Sequence, residues 1–442
     1  MNKGWDDVWK NEDWWAVWIG FAIIIAALLR WIPDIPKIGK WSTSPLDAFA
    51  IIKDGTVIGN NILPLLALMI GMGILTAVAI AVMKNQPVGK YVAGFIVIFL
   101  LACLAYWVAN QTNIKYWGLS YAMWGLLIGL LISNTIGAPS WLLAGAQTEL
   151  FIKTGLVLMG AEILFKKILV LGPPGLMVAW IVTPIVVVFM YLFGVRVLKM
   201  KNKALAIIIA AATSVCGVSA AIATAAACRA KKEDLTLAVG MTLIFTVLMM
   251  IFMPIAIKAI GMNAVLGGAW MGGTIDATGA VVAAGSMLGP DAEKVAAVVK
   301  MIQNVLIGIL AFCVALFWCY SVEREPGGAR PNPMEIWNRF PKFVIGFIGA
   351  SVIFSFIVVP AMGGDFKLVE AEFIKPITKT MRGWFFCMAF VAIGLESNFK
   401  NLASRMDGGK PMTLYAVGQS FNLILTLAVA FLAFMIMFPD AI

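Results

Sequence analysis

Hydrophobic positions in this chain fall in long unbroken runs. Windows of about nineteen apolar residues cover 14–32, 62–83, 87–108, 118–134, 150–168, 174–197, 235–257, 291–320, 343–363, 374–397 and 413–438, about eleven in all. A segment inside a bilayer has no water to satisfy its backbone N–H and C=O groups, so runs of this length predict helices. The ten-residue apolar/polar alternation of an outer-membrane barrel is absent. The pattern therefore predicts an all-α polytopic membrane protein. Its first run, WWAVWIGFAIIIAALLRWI from Trp14, is too long for a signal-peptide core. It follows Asp6, Asp7, Glu12 and Asp13 and has no small-residue cleavage site after it, so it reads as a retained helix. Trp5, Trp9, Trp14, Trp15 and Trp18 read as an interfacial anchor rather than a cofactor box.

Two other apolar segments, 203–229 and 263–288, have small, polar, glycine-containing centres, TSVCG and TIDATG. Each predicts two half-helices around a break. Arg196, Lys199, Lys201 and Lys203 precede the first, and Arg229, Lys231 and Lys232 follow it. Under the positive-inside rule both ends are cytoplasmic and the segment is a re-entrant hairpin, with the second entering from the outside. The alternative is that both broken segments cross fully. Arg324, Arg330, Arg339 and Lys342 mark one later cytoplasmic loop, and Lys400, Arg405 and Lys410 another; the acidic loop at Asp365, Glu370 and Glu372 lies between them. The scheme places the amino terminus in the cytoplasm and the carboxyl terminus outside, with Lys166 and Lys167 on the outer side against the trend. An internal echo predicts two inverted halves: GAEILFK at 160–166 matches GLESNFK at 394–400 at Gly, Glu, Phe and Lys. Repeats of opposite topology are a transporter signature. The echoes occur in mirrored rather than sequential order.

Composition narrows the function classes. The chain is 62% hydrophobic and 13% charged, with a net charge of +10 carried in short loops. Membrane orientation accounts for that charge and nucleic acid is not an expected partner. All six cysteines lie in apolar segments without a CxxC pair, and histidine is absent. Zinc-protease motifs and the Ser/His/Asp triad are therefore ruled out, and no GxxxxGK[ST] loop supports ATP hydrolysis. The chain is not expected to be an enzyme, and no cofactor is expected beyond a coupling Na⁺ or H⁺.

The candidate chemistry sits at the two breaks. A half-helix that starts inside the membrane concentrates about half a positive charge at its unpaired N–H groups, which suits an anion. Thr213, Ser214, Cys216, Gly217 and Ser219 at one tip, and Thr274, Thr278 and Gly279 at the other, are the substrate-binding candidates. Close helix packing by small residues is the plainer explanation. Asp276 at bilayer depth is costly, by about 2.5–3.5 kcal/mol. It either binds a coupling cation or caps the following half-helix. Gln303 and Asn304 offer neutral amides to the site or to ordinary interhelical bonds. Glu162 and Glu396 each precede a lysine by four residues and read as surface ion pairs with Lys166 and Lys400.

SVCGVSAAIATAA and GGTIDATGAVVAAG resemble the two signature segments of the YeiH-like family of sulfate exporters, which tend to read SICGASA and GASIHEVAQVVAAG. The likeness covers roughly residues 90 to 438, including LLIGLLISN at 126–134 and GLVLMG at 155–160. It implies a bacterial inner-membrane secondary transporter with inverted repeats and broken helices. Residues 1–85 add two helices to a transporter core at 86–438. The signature's His-Glu stands here as Asp276-Ala277 and its Gln as Gly279, while Gln303 and Glu162 stand where an arginine is frequent. These departures weaken sulfate and raise cation coupling or another anion.

The leading expectation is a secondary active transporter of a small anion, sulfate or sulfonate-like, coupled to H⁺ or Na⁺ by alternating access. A monovalent cation/proton antiporter using Asp276 is the alternative. The expected partners are the anion and the lipid bilayer, and a homodimer stays open.

Overall fold

A computed structural model describes residues 8–53, 56–83, 86–116, 121–162, 165–318, 322, 341–398 and 409–439. Trp5, Asp6, Asp7, Arg324, Arg330, Arg339, Lys400, Arg405 and the side chains of Lys166, Lys167 and Lys232, all used in the sequence reading, lie outside the described residues. Along the chain, α1 is Glu12–Leu28, followed by a small antiparallel pair, β1 Ala50–Lys53 with β2 Thr56–Asn60. Then come α2 Ile62–Met83, α3 Val88–Ala109, α4 Tyr121–Thr135, α5 Ser140–Gly145, α6 Thr148–Gly160 and α7 Phe165–Leu192. The broken segments are α8 Lys203–Ser214 with α9 Gly217–Ala227, and α11 Ala264–Thr274 with α12 Thr278–Leu288. Between them runs α10 Lys232–Ala259, and after them α13 Pro290–Phe317, α14 Phe343–Ile353, α15 Lys379–Glu396 and α16 Gly409–Phe431.

The protein is a nearly all-helical polytopic membrane protein. Eight helical stretches among the described residues are long and apolar enough to cross a membrane. Each of the eleven sequence windows contains helix. Of the remaining three, α1 and α4 have only 17 and 15 residues, and α15 carries Lys379 and Arg382. The window expected at 150–168 sits instead at 140–160, where α5 and α6 share one span. The chain turns at Ala161 and Glu162, whose N–H groups donate back to Leu158 and Met159, and α7 starts afresh at Phe165.

The chain forms two compact units, Met1–Lys167 with Lys342–Asn398, and Ile168–Pro341 with Phe399–Ile442. In the first, α6 and α15 lie antiparallel. Glu162, just past the end of α6, reaches Arg382 near the start of α15, and Glu396 at the end of α15 accepts from Thr148 at the start of α6 (3.0 Å). Phe151 and Phe385 meet midway, with ring centroids 6.2 Å apart. The two halves of the echo are thus related by an approximate two-fold. Gly160 and Gly394 serve the same purpose in each: a Cβ on the first would stand 2.2 Å from Phe347 O of α14, and on the second 2.4 Å from Leu126 O of α4. Backbone approach this close requires the smallest residue.

In the second unit each broken segment is a hairpin. At the start of α8, Asn202 donates to Asp234 at the start of α10 (2.8 Å). Gly217, the first residue of α9, packs on Thr242 further along α10. So α8 runs alongside α10, α9 returns antiparallel to it, and both ends of the segment lie at one end of α10. The second segment repeats this on α13, with Gly268 of α11 against Ala292, Gly285 of α12 against Glu293, and Gly267 close to Leu288. Gly267 also touches Ile257 near the far end of α10. With 28 residues, α10 is about 42 Å long, so the hairpins enter from its opposite ends and meet in the middle. The re-entrant geometry read from the loop charges is the one adopted, and full crossing is not.

A direct check is side-specific labelling in a cysteine-free background. Lys201→Cys and Lys231→Cys should react with an impermeant maleimide from one face of the membrane, and Lys258→Cys from the other. Labelling of Lys201→Cys and Lys231→Cys from different faces would overturn the hairpin.

Candidate functional site at the hairpin tips

The breaks follow from backbone chemistry. Val215 and Cys216 leave helical geometry (φ −129° and −151°), as do Ile275 and Ala277 with extended backbone. Each break strands the last carbonyls of one half-helix and the first N–H groups of the next. At the crossing the Gly217 N–H donates to the Asp276 carbonyl (2.6 Å), joining the two tips directly. A Cβ on Gly217 would come 1.9 Å from Thr242 Cγ2, so glycine is needed for the approach.

The stranded carbonyls are met by side chains from three neighbouring helices. Gln303 Nε2 donates to Ser214 O (2.9 Å) and Gly273 O (3.1 Å), bridging both tips. Thr183 of α7 donates to Ser214 O (3.1 Å), Asn422 to Thr213 O (3.0 Å) and Gln419 to Thr274 O (3.2 Å). The Lys300 ammonium donates to Val215 O and to Gln303 Oε1. Lys300 is 1% exposed. A cation at the carboxyl end of α8 also opposes the negative end of that half-helix's dipole.

Asp276, likewise 1% exposed, does not cap α12. The cap position belongs to Ala277, which makes no side-chain cap bond. The Asp276 carboxylate instead accepts from the Tyr415 hydroxyl, which lies 3.3 Å from Thr242 Oγ1. Lys300 and Asp276 act on each other electrostatically across the crossing. The buried crossing thus holds one carboxylate and one ammonium.

All the sequence candidates except Asn304 and Gln303 are tip residues, and these two join them from α13. Thr213 and Ser214 turn their hydroxyls back onto Ile209 O (2.8 Å) and Ala210 O (2.5 Å), which occupies their donors. Cys216, Gly217, Thr274 and Gly279 are buried, whereas Ser219 and Thr278 in the first turns of α9 and α12 are half-buried. Neither α9 nor α12 carries a side-chain N-cap. Asn304 donates to Thr278 Oγ1 (3.0 Å). Asn304 Oδ1, Gln419 Oε1, Thr274 Oγ1 and Thr246 Oγ1 are buried with no hydrogen-bond partner, oxygens of the type that ligate a hard cation. Among the described residues no group of three His, Cys, Asp or Glu side chains could hold a metal ion.

Lys300, Tyr415, Gln419 and Asn422 were not among the sequence candidates. Lys300 had a usable signal, as a lone lysine deep in an apolar run. The α16 residues Tyr415, Gln419, Asn422 and Thr426 recur at helical spacing and mark one polar stripe. The surface-pair reading of Glu162 is corrected. Glu162 is buried and binds Arg382, with Nε to Oε1 at 2.6 Å and a second bond at 3.2 Å, because the turn at Ala161 aims it at α15 rather than along its own helix. Glu396 is held by Thr148.

A polytopic membrane protein whose two re-entrant hairpins meet at a buried carboxylate is the class these features define. The chain belongs to the family of UPF0324 membrane proteins, for the family described as Conserved hypothetical protein 698 matches residues 93–415. A UPF0324 membrane protein of Rhodopirellula baltica is 52% identical over 93% of this chain and 73% of its own. One from Nitratidesulfovibrio vulgaris is 51% identical over 91% and 70%, and one from Nitrosomonas europaea 29% identical over 97% and 96%. No solved structure matches.

The Glu162–Arg382 pair has a measurable signature. Arg382→Met strands a buried carboxylate and should lower unfolding stability in micelles by about 3–5 kcal/mol, with Glu162→Leu/Arg382→Met recovering most of the loss. Additive losses in the double variant would mean that the two side chains are not energetically coupled.

Proposed function

We propose that the chain is a secondary active transporter of a small anion, with the hairpin tips as the substrate site and Asp276 as the coupling group. The observation that carries this reading is the direct meeting of two half-helix breaks, entering from opposite ends, at a buried Asp276 and Lys300. The uncapped first turns of α9 and α12, with the half-buried Ser219 and Thr278 hydroxyls, offer donors to an anion. Lys300 supplies the positive charge that the Gln303 position lacks. The resemblance to YeiH-like sulfate exporters points the same way, toward a sulfate or sulfonate-like substrate in a bacterial inner membrane.

Coupling follows from charge. An ionised Asp276 repels an anion bound at the neighbouring tips, and a proton or Na⁺ on it removes that repulsion while weakening the carboxylate's hold on Tyr415. Cation and anion then favour each other's binding, as linkage requires. Alternating access would consist of a change in how the two tips meet, where the Gly217–Asp276 backbone bond and the Gln303 amide bridging Ser214 O and Gly273 O now join them. The unpartnered oxygens of Asn304, Gln419 and Thr274 favour a second reading, a monovalent cation/proton antiporter in which the ion at Asp276 is itself the cargo.

Reconstituted protein separates the two. For the anion transporter, Asp276→Asn should keep anion exchange but lose about 5- to 150-fold of the gradient-driven accumulation, the span of ordinary coupling energies. For the antiporter the same variant should lose cation flux outright, and anions should have no effect on either protein. Wild-type ion dependence in Asp276→Asn would sink both readings.

A further inference from the structure

A long apolar cavity of about 630 Å³ lies in the second unit, between α7 and α13. It begins at Thr183, which bonds the hairpin tip through Ser214 O, and ends at Arg196 just beyond α7. Val188 and Leu192 form one wall, and Leu310, Val314 and Phe317 the other. Thr183 and Arg196 are thirteen residues apart, so the cavity runs for about 20 Å along the helix. That is somewhat more than half the roughly 30 Å hydrocarbon core, the depth that one acyl chain occupies. It is laterally open, with Val188 56% and Phe317 40% exposed.

Polarity is distributed along this groove as it is along a phospholipid. The walls are apolar from the tip outward, and the single charged lining residue, Arg196, stands at the outer end. Lys199, Lys201 and Lys203 follow it within seven residues, and Arg196 and all three lysines are exposed. A hydrated inorganic anion such as sulfate would lose its water against these walls without recompense, so the groove is not a route for that kind of substrate. An acyl chain meets no such cost, and a phosphodiester at its head would meet the Arg196 guanidinium.

We infer that this groove is a binding site for one anionic phospholipid, with an acyl chain lying between α7 and α13 and its phosphate held by Arg196. The chain's end reaches Thr183, so the lipid abuts the residue that supports the first hairpin tip. The site is separate from the transport reading and stands or falls independently of it.

Native mass spectrometry of the delipidated full chain, titrated with phosphatidylglycerol or phosphatidylcholine of the same acyl chains, tests the assignment. Wild type should retain one phosphatidylglycerol at about fivefold lower lipid concentration than phosphatidylcholine, the preference expected of one basic contact. Arg196→Gln should abolish the preference while leaving acyl-chain binding. Val188→Trp, which fills the groove, should weaken both lipids, and Leu310→Trp from the opposite wall provides the same reading should the first variant fold poorly. A retained phosphatidylglycerol preference in Arg196→Gln, or unchanged binding in a folded tryptophan variant, would falsify the site. Equal competition by free palmitate would also overturn it, by assigning the groove to a soluble amphiphile.

Discussion

Everything in the second unit depends on satisfying the backbone at two helix breaks where no water is available. An unpaired carbonyl or N–H in hydrocarbon costs several kcal/mol, and each hairpin tip creates a cluster of both. The protein answers from outside the hairpins. Thr183 on α7, Lys300 and Gln303 on α13, and Gln419 and Asn422 on α16 reach the carbonyl ends of α8 and α11. The polar residues of three long helices are therefore placed by the needs of two short ones. The N-terminal ends of α9 and α12 are treated differently, with no side-chain cap on either. The stranded carbonyls are thus met by side chains, whereas at the amino end of α9 the Gly217 N–H is met by the Asp276 backbone carbonyl.

The mirrored order of the internal echoes has a topological explanation. The echo places α6 opposite α15, and the helix after each, α7 and α16, leads into the second unit. In the first half, α7 is followed by a hairpin and then by α10. In the second half the corresponding hairpin and α13 come before α14 and α15 in the chain. The second repeat is thus a circular permutation of the first: hairpin, span, then the pair of first-unit helices and the final span. Thr148 and Arg382 each lie fourteen residues before the glutamate of their repeat, and each receives the other repeat's glutamate. The same equivalence that makes a two-fold contact also lets the two positions diverge, one to a neutral hydroxyl and the other to a guanidinium.

Much of this architecture was legible because lipid makes sequence patterns strict. The long apolar runs, the two broken segments and the hairpin geometry all follow from hydropathy and loop charge. Where windows slipped, as at 150–168, the apolar residues on both sides of Gly160 concealed a turn at Ala161 and Glu162 that no proline announces. The site was legible in part. Tip residues declare themselves by their small, polar composition, and Asp276 by its burial cost. Of the residues that serve the tips only Gln303 was singled out; Lys300 and the polar stripe of α16 carry a polar signal, but nothing local says what they face. Glu162 was misread for a related reason. Its i,i+4 lysine offers a local partner, and only the tertiary fold brings Arg382 to it.

Lys300 changes the electrostatic logic of the crossing. From the sequence alone, Asp276 stood as an isolated acid next to half-helix amino ends, where one negative charge would oppose a bound anion. Lys300 and Asp276 are both buried at the crossing and act on each other electrostatically, and Lys300 also opposes the negative end of α8. Under the transport reading proposed above, removing the charge from Asp276 by a proton or a cation would leave the Lys300 charge without its counter-charge, near amino ends that lack side-chain caps. On that reading Lys300, which also satisfies the Val215 carbonyl, and Asp276 would together set the sign of what the crossing attracts.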